Sequence, residues 1–571
     1  MPKFVFTVAA FAISAICFTA YLISTSRQPL PLLLFWASFL SGLTIVLAQI
    51  FSYKMTFRRG LVILIEIITL SFLAQLIFVI PVRAGVFGRD AFFDLYSMQT
   101  IYSTGWPVPK DVYLSQVTRL VSDWPLMQFL GLVISDLVRI DLFSVDDPYN
   151  VVRLLPSILS MGVAPSVYSI TRRLFGSFKY ALLAALSTSL TITNTMFHTW
   201  FVRETLAYVL LFGFILAYIL SEQGEKMRLR GRALCILLLI GLAFAHHLTF
   251  VFTLVFLTVV ISVRSGLNAF SRIRRANNNP RVEWGIGQPF ILLTLAASVF
   301  LTYLLYIGQP IFQTLVQTIA DLARPQLAYS APLGGGFTRA RFLLLSRLAF
   351  GAFFAVMILR RIVSRIADPF WYLVGFLWGG ASGLLGAASV FVEKTANITL
   401  FRLEGFAWPL VIIPAMPALA LSKVRLTTPL VVALFVVANM ASIPQYQYDP
   451  GASPLYQQGE TSLRYDATLF AAVDWFRWGG RMVGDDTTEQ AFIGLRQANM
   501  TNDYRIYEGD LQNISQYEWI VLRHEDSLLV PASSVTNKLI IVTPEILDSF
   551  NRNPQLSKVY TNGDVDLYSV S

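Results

Sequence analysis

The chain is dominated by a succession of apolar stretches, most of them close to the length of about 20 residues with which an α-helix crosses a bilayer. The stretch 233–263 is too long for one crossing and holds the polar pair His246-His247, which predicts two short helices meeting at the histidines. The other stretches are near residues 4–24, 30–51, 61–80, 151–170, 179–197, 201–221, 288–308, 343–358, 369–391, 405–421 and 426–441. Together they predict a polytopic α-helical membrane protein with about 13 transmembrane helices.

The composition excludes an ordinary soluble protein. Hydrophobic residues make up 55% of the 571 residues and charged residues only 14%, whereas soluble domains are about 25% charged. The two cysteines, Cys17 and Cys235, both lie in apolar stretches, so the sequence holds neither a disulfide framework nor a CxxC zinc motif. Any domain outside the membrane is expected to fold without disulfides.

The net charge of +10 is unevenly distributed along the chain. If the N-terminus is cytoplasmic, the predicted inner connections carry many of the basic residues, as the positive-inside rule requires. These residues are Lys54, Arg58, Arg59, Arg172, Arg173, Lys179, Lys226, Arg228, Arg230, Arg232, Arg264, Arg272, Arg274, Arg275, Arg281, Arg360, Arg361, Arg365, Lys423 and Arg425. An odd number of spans then places residues 443–571, with 9 basic and 17 acidic side chains, outside the membrane. The sequence thus predicts a multi-pass plasma-membrane protein with an extracytoplasmic tail and no nucleic-acid partner.

The tail, residues 443–571, has the pattern of a small α/β domain. A tight hairpin is favoured near its end, because two alternating runs flank Asn562-Gly563, a dipeptide that tolerates positive φ angles. The expected elements are an amphipathic helix near Asp466–Trp478, strands at Trp519–Arg523 and Lys538–Val542, and hairpin strands at Ser557–Thr561 and Asp564–Val570.

Ionisable side chains within or beside a membrane are costly and therefore mark candidate functional sites. The predicted external loop 81–150 carries two carboxylates four residues apart, Asp90 and Asp94, which would share one face of a helix. Asp90 suits either the N-cap of that helix or a chemical role. The loop continues through Trp106-Pro107 and Trp124-Pro125, whose rings suit an acyl chain or an anchor at the membrane interface.

Two further polar sites interrupt the apolar stretches. Arg203-Glu204 heads a predicted span on the outer side, where the two side chains either neutralise each other or belong to a site. The side chains of His246 and His247 would point to different helix faces, so they do not form the i, i+4 metal-binding pair. One histidine can still join a carboxylate in a mixed metal site, and the alternative is a hydrogen-bonded or water-lined histidine.

External arginines form the last group of candidates. Arg339 and Arg341 follow the three glycines 334–336, and Arg402 lies near the outer end of another predicted span. Guanidinium forks bind phosphate, and a glycine-rich loop lets backbone N–H groups approach it. The sequence has no Walker P-loop, Rossmann fingerprint, HExxH or GxSxG motif. The arginines are therefore candidate phosphate ligands outside any nucleotide-binding motif.

The order of these motifs resembles that in the GT-C glycosyltransferases, polytopic enzymes that take sugar from a polyprenyl-phosphate donor on the outer side of the membrane. The likeness is to their archaeal or bacterial polyprenyl-phosphate-sugar-dependent group, which includes the protein O-mannosyltransferases and aminoarabinose transferases. The segments that carry it are Gly88-Arg89-Asp90, Trp124-Pro125-Leu126, Val167–Gly176, Arg203-Glu204, Ala245–Thr249 and Arg402–Phe406.

The resemblance implies three units: two additional N-terminal transmembrane helices in 1–60, a catalytic membrane module in 61–442 and an extracytoplasmic α/β domain in 443–571. It also implies inverting transfer of a sugar to a hydroxyl of a glycan, lipid or protein acceptor, with Asp90 as general base. Glu204 would align the acceptor or hold a divalent metal ion with Asp90, the one cofactor implied. The other residues assigned to substrate binding are Asp94, Arg203, His246, His247, Arg339, Arg341 and Arg402.

Two departures from the family pattern and two rival functions complete the predictions. Arg89-Asp90 replaces the Asp-Glu pair of the protein O-mannosyltransferases, and the Trp-Trp-Asp motif of oligosaccharyltransferases is missing, which disfavours protein N-glycosylation. A transporter or flippase for a lipid-linked or anionic substrate would need paired broken helices, and only 233–263 is broken in this way. A non-catalytic membrane scaffold would leave Asp90 dispensable.

Overall fold

The structure is a computed structural model of the whole chain, and it describes most of the membrane part and portions of the tail. In the membrane part it describes residues 2–25, 32–79, 90–108, 122–138, 151–195, 197–199, 201–223, 225–273, 285–308, 339–364, 369–390, 396–420 and 427–440. In the tail it describes residues 472, 473, 475, 476, 480–484, 492, 499–502, 506, 511, 514–523, 530–533, 538–540, 544–562 and 565–571.

Helices occupy all the predicted apolar stretches, and further helices lie in the connections. Up to the histidine pair they are α1 (Pro2–Thr25), α2 (Leu32–Ser52), α3 (Phe57–Val79), α4 (Asp90–Thr104), α5 (Leu126–Val138), α6 (Val151–Ser160), α7 (Val163–Phe175), α8 (Phe178–Ser189), the single turn α9 (Ile192–Thr195), α10 (Arg203–Ser221) and α11 (Glu225–Ala245). From there on they are α12 (His247–Ile273), α13 (Gly287–Tyr306), α14 (Arg339–Val363), α15 (Phe370–Val390), α16 (Ala396–Ala420) and α17 (Thr427–Met440).

Five candidate spans in the described residues are long and apolar enough to cross a membrane. They are Phe57–Leu76, Leu154–Phe175, Arg203–Ser221, His247–Ser271 and Gly287–Tyr306. This finding confirms a mostly helical, membrane-like architecture, whereas the total of about 13 spans stays a prediction.

The predicted interruption at the histidine pair is confirmed, but the predicted helix lengths are wrong. Helix α11 ends at Ala245 and α12 begins at His247. The two helices have 21 and 27 residues, so both extend well beyond 233–263. The apolar stretch marks only their middle portions, because polar residues continue each helix at the end away from the junction.

Glycines set how closely several helices approach. A Cβ added to Gly231 of α11 would lie 2.5 Å from the backbone nitrogen of Ser221 at the end of α10. A Cβ on Gly375 of α15 would lie 2.4 Å from the ring of Pro414 in α16. Small residues that let backbones meet are the usual device of helix packing in membranes.

The two N-terminal helices pack against α3. Within this group the Nε2 of Gln49 donates to Oε1 of Glu66 at 3.2 Å, and both side chains are buried. The Ser14 hydroxyl also donates to the carbonyl of Ser38, which joins α1 to α2. Residues 1–60 are thus attached to the rest of the helical part by both polar and apolar contacts.

The tail contains a five-stranded mixed sheet in the order β2-β1-β3-β7-β6, in which β1 is parallel to β2 and β3 and the last three strands are antiparallel. A separate antiparallel pair, β4-β5, and one helix, α18, complete the described elements. The elements are β1 (Arg481–Gly484), β2 (Asn499–Asn502), β3 (Trp519–Arg523), β4 (Val530–Ser533), β5 (Lys538–Ile540), α18 (Pro544–Arg552), β6 (Leu556–Thr561) and β7 (Val565–Val570).

The predicted hairpin at the end of the tail is confirmed. Strands β6 and β7 pair antiparallel, and the side chain of Asn562 accepts a hydrogen bond from the backbone of Val565 at 2.9 Å. The predicted strands at Trp519 and Lys538 are present. Most of the predicted helix Asp466–Trp478 lies outside the described residues.

The tail sheet and the loop helix α4 share one apolar core. Phe93 and Met98 of α4 belong to the same cluster of buried side chains as Phe476, Met482 and Val565 of the tail. This shared core brings α4 and the tail sheet into contact. It thereby links the loop that carries Asp90 to the tail.

Candidate active site

The centre of the candidate site is the fully buried carboxylate of Asp94, in the second turn of α4. The Nε2 of Gln128 in α5 donates to its Oδ1 at 2.6 Å. The Nε of Arg203, the first residue of α10, lies 3.2 Å from the same oxygen. A carboxylate removed from water needs such partners, because burial of an isolated charge is very costly. Asp94 is therefore the point at which α4, α5 and α10 are joined.

Asp90, the predicted general base, is the first residue of α4. The helix places Asp90 and Asp94 one turn apart on the same face, as the spacing predicted. The backbone of Asp90 is described and its side chain is not. The ion pair at Asp94 thus fixes the helix turn that immediately follows Asp90.

A short segment of the external loop, Ser122–Trp124, is held from three directions. The Ser97 hydroxyl of α4 donates to the hydroxyl of Ser122 at 3.0 Å, and the Trp106 indole donates to the Ser122 carbonyl at 3.1 Å. The Tyr303 hydroxyl, at the end of α13, donates to the backbone carbonyl of Asp123. Asp123 is itself buried, so this region holds a buried acidic side chain in addition to Asp94.

The histidine pair contacts this segment through aromatic rings. The ring of His247 lies 4.8 Å from that of the buried Trp124, which also packs against Tyr303 at 5.8 Å. His246 is buried, and its Nδ1 lies 3.0 Å from the Thr249 hydroxyl. The structure thus brings His247, but not a metal-binding pair of histidines, to the external loop.

The residues Arg203 and Glu204 have different surroundings. Arg203 forms an ion pair with Asp94 of α4. Glu204 is buried and acts electrostatically on Tyr208, one turn later in α10. Arg203 thus has a partner in the loop helix α4, and its assignment to the site stays a prediction.

A second polar cluster lies beside the head of α10, around the buried His198 in the 3₁₀ turn Phe197–Thr199. Its Nδ1 lies 3.2 Å from Oδ1 of Asn194, and its ring lies 4.1 Å from that of Tyr208. Burial lowers the pKa of His198 to about 3, so the ring is neutral at physiological pH. A neutral ring with its proton on Nδ1 donates to Asn194.

The remaining candidates are described only in their backbones. Arg339 begins α14, Arg341 follows in its first turn, and Arg402 lies near the start of α16. Their side chains, and the glycines 334–336, lie outside the described residues. Within the described residues no group of three His, Cys, Asp or Glu side chains is arranged to hold a metal ion.

Three residues of the site escaped the sequence analysis: Gln128, Asp123 and Tyr303. Asp123 lies between Ser122 and Trp124, beside the Trp124-Pro125 motif, and its position gave no periodic signal. Gln128 lies in the loop helix α5 and Tyr303 near the end of the apolar helix α13, and a polar group on an apolar helix was the available signal.

Comparison with solved structures shows that the fold is similar to that of membrane glycosyltransferases. The oligosaccharyltransferase of Archaeoglobus fulgidus in its apo form matches at 13% identity, over 81% of this chain and 69% of that chain, with a TM-score of 0.50. The same enzyme in complex with an inhibitory peptide and a dolichol-phosphate matches at 12% identity over the same shares, with a TM-score of 0.51.

A second kind of neighbour spans nearly the whole of both chains. ArnT from Cupriavidus metallidurans, bound to undecaprenyl phosphate, matches at 9% identity over 90% of this chain and 98% of that chain, with a TM-score of 0.50. No protein-family model and no curated protein matches the sequence. At these identities the similarity is one of fold.

Proposed function

We propose that the protein is an inverting glycosyltransferase that moves a sugar from a polyprenyl-phosphate donor to a hydroxyl acceptor on the outer face of the membrane. The observation that carries the proposal is the buried Arg203–Asp94 ion pair within a GT-C fold. It joins the helix that begins at Asp90 to the helix that begins at Arg203. A carboxylate and a cation are thereby held at neighbouring helix starts.

The proposed reaction uses Asp90 as the general base. Its carboxylate takes the proton of the acceptor hydroxyl while the hydroxyl oxygen attacks the anomeric carbon. The bond from that carbon to the phosphate oxygen breaks, and its electron pair leaves with the polyprenyl phosphate. Attack opposite the leaving group inverts the anomeric configuration. A positioned base of this kind contributes about 10² to 10⁴ in rate.

The departing phosphate gains negative charge, so cations that face it stabilise the transition state. We assign this role to Arg203, Arg339, Arg341 and Arg402. The archaeal oligosaccharyltransferase complex with dolichol-phosphate and the ArnT complex with undecaprenyl phosphate support a lipid phosphate as ligand.

The other predicted site residues serve as positioning or binding groups. Asp94 is fully buried and shared between Gln128 and Arg203, which suits a residue that orients α4 better than one that takes up a proton. Glu204 and the His246-His247 pair are assigned to the acceptor or sugar side of the site. No step of the proposed reaction uses a metal ion.

The proposal includes the arrangement of the chain in the plasma membrane. The N-terminus is cytoplasmic, and the external loop and residues 443–571 lie outside. Residues 1–60 are an addition to the catalytic module 61–442. The apolar core that α4 shares with the tail supports placing the loop and the tail on one side.

The experiment that tests the proposal compares purified full-length protein in lipid with its Asp90→Asn variant. Each is given a panel of polyprenyl-phosphate sugars and crude membrane acceptors, with and without a chelator, and sugar transfer and donor loss are measured. The matched control is Asp136→Asn, because Asp136 is an exposed carboxylate in α5 of the same loop. The proposal predicts transfer by the wild type and the control and none by folded Asp90→Asn.

Two other results would contradict it. Equal transfer by Asp90→Asn would remove Asp90 from the chemistry. A folded wild type that turns over no donor, but moves a lipid-linked substrate across vesicles, would identify a flippase or transporter instead.

A further inference from the structure

A hydrogen bond joins helices α10 and α16 at a point where α16 lacks one of its own. In an α-helix the carbonyl of one residue accepts the N–H of the residue four positions later. For Gly405 that residue is Pro409, which has no N–H. The hydroxyl of Tyr208 instead donates to the Gly405 carbonyl at 2.6 Å. A side chain of α10 thus supplies the hydrogen bond that the proline removes from α16.

The neighbouring carbonyl is held in a similar way. The indole Nε1 of Trp378, in α15, donates to the carbonyl of Phe406 at 2.9 Å. Both donors are buried, so neither bond competes with water. Backbone groups freed by a proline inside a membrane helix must be satisfied by neighbouring helices. Tyr208 meets this requirement for the Gly405 carbonyl, and Trp378 adds a side-chain donor to the next carbonyl of α16.

The approach of α16 to α10 also depends on the absence of a side chain at position 405. A Cβ on Gly405 would lie 2.6 Å from Cγ2 of Thr193, in the single turn α9. The ring of Tyr208 is itself covered by His198, which follows this turn. The contact between Tyr208 and Gly405 is therefore bordered by Thr193 of α9 and by His198. These neighbours restrict how α16 can pack against α10 at this point.

This contact lies close in the sequence to two of the proposed phosphate ligands. Arg402 precedes Gly405 by less than one turn of α16, and Arg203 precedes Tyr208 by less than two turns of α10. Arg203 is also anchored by Asp94. The hydrogen bond between Tyr208 and Gly405 therefore sets the distance between the backbones of α10 and α16 near Arg203 and Arg402.

We propose that Tyr208 is a positioning residue that holds the part of α16 around Gly405 against α10, so that Arg402 and Arg203 address the same phosphate of the lipid donor. This inference rests on the proposed function, and it adds a residue that touches neither substrate. Its role depends on the hydroxyl alone, because the ring packing with His198 and Phe406 does not need it.

The test removes that hydroxyl with Tyr208→Phe. The matched control is Tyr218→Phe, since Tyr218 lies in the same helix and donates to Glu222 at 3.1 Å, at the end away from the site. Binding of polyprenyl phosphate without sugar, and kcat and KM for donor and acceptor, are measured on full-length protein in lipid. A displacement of about 1 Å near a reacting group lowers rates by up to about 100-fold.

We expect Tyr208→Phe to weaken binding of polyprenyl phosphate and to lower kcat/KM for the donor by about tenfold, a loss of about 1.4 kcal/mol. The KM for the acceptor and the thermal midpoint should stay near the wild-type values, and Tyr218→Phe should behave as the wild type. If kcat/KM fell equally for the donor and for the acceptor, and the thermal midpoint of unfolding also fell, Tyr208 would have a merely structural role. That result would overturn the inference.

A second pair of variants tests the same contact from α16. Gly405→Ala should displace the helix start and reproduce the donor defect, because its methyl group meets Thr193. Thr193→Ser removes that Cγ2, so the double variant should recover most of the donor affinity. Unchanged donor kinetics in both Tyr208→Phe and Gly405→Ala would overturn the inference while leaving the proposed function intact. A wild type that neither binds polyprenyl phosphate nor transfers sugar would overturn both.

Discussion

Arg203 Nε and Asp94 Oδ1 lie 3.2 Å apart and join the first residue of the apolar helix α10 to the loop helix α4. Asp94 is fully buried, and Arg203 is only 14% exposed. An ion pair in such surroundings is much less screened than one on the surface. Removal of one partner should therefore lower the free energy of unfolding more than removal of one partner of an exposed ion pair does.

We expect Asp94→Asn to lower the free energy of unfolding by about 3 kcal/mol, because it removes the carboxylate charge that pairs with the largely buried Arg203 guanidinium. Thermal or denaturant unfolding of full-length protein in detergent measures this change. Asp136→Asn, an exposed substitution in the adjacent helix, should alter stability by less than about 0.5 kcal/mol. A fall of equal size in both variants would contradict the assigned pair.

The close contact of α10 and α11 gives a second prediction. Gly231→Ala should lower the unfolding free energy by about 3 kcal/mol, since its Cβ would meet the Ser221 backbone, which cannot rotate away. Gly266→Ala is the control, because a Cβ there meets no atom within 4 Å in the described structure. That variant should be neutral or more stable by about 1 kcal/mol, from the higher helix propensity of alanine. Similar melting of both variants would exclude this packing.

The features that the sequence predicted correctly are local ones. The helix break at His246 follows from a polar pair in an apolar run, and the hairpin at Asn562 follows from a turn dipeptide between alternating runs. Given the helix α4, the four-residue spacing of Asp90 and Asp94 puts the two positions one turn apart. Each depends on residues close together in the chain, where the helix and strand periods determine the outcome.

The partners within the site could not be predicted, because they come from remote segments. Tyr303 donates to the carbonyl of Asp123, 180 residues earlier, and Tyr208 to Gly405, 197 residues later. Pro409 did indicate that one carbonyl of its helix lacked a donor. Which residue supplies that donor depends on helix packing, and no periodicity in the sequence encodes it.

The Gln49–Glu66 hydrogen bond gives a third prediction, which concerns the two N-terminal helices. Gln49→Leu should lower the unfolding free energy by about 1 to 3 kcal/mol, because the buried Glu66 loses this partner. The double variant Gln49→Leu, Glu66→Leu should recover much of the loss, since both polar groups are then removed.

Unfolding of the two variants in detergent, with the Glu66→Gln single variant beside them, forms the comparison for this pair. Glu66→Gln keeps an oxygen that can accept the Gln49 amide, so it should stay near the wild type. Sugar transfer should be unchanged in all folded variants. A double variant less stable than Gln49→Leu would argue against a direct interaction.

Burial of His198 gives the final prediction, a loss of stability in acid. Its pKa is lowered to about 3 in the folded protein, against 6.5 for an unperturbed histidine. Between these two values the unfolded chain binds the proton more readily, so stability falls as the pH decreases, by up to about 1.4 kcal/mol per pH unit. Above about pH 6.5 the ring is neutral in both states and this contribution is complete.

His198→Asn keeps a donor near the position of Nδ1 but does not titrate. The difference in unfolding free energy between the wild type and this variant should therefore shift against the wild type by about 3 kcal/mol from pH 7 to about pH 4. Other groups cancel in this difference, so parallel pH profiles would show that His198 is not buried as a neutral ring.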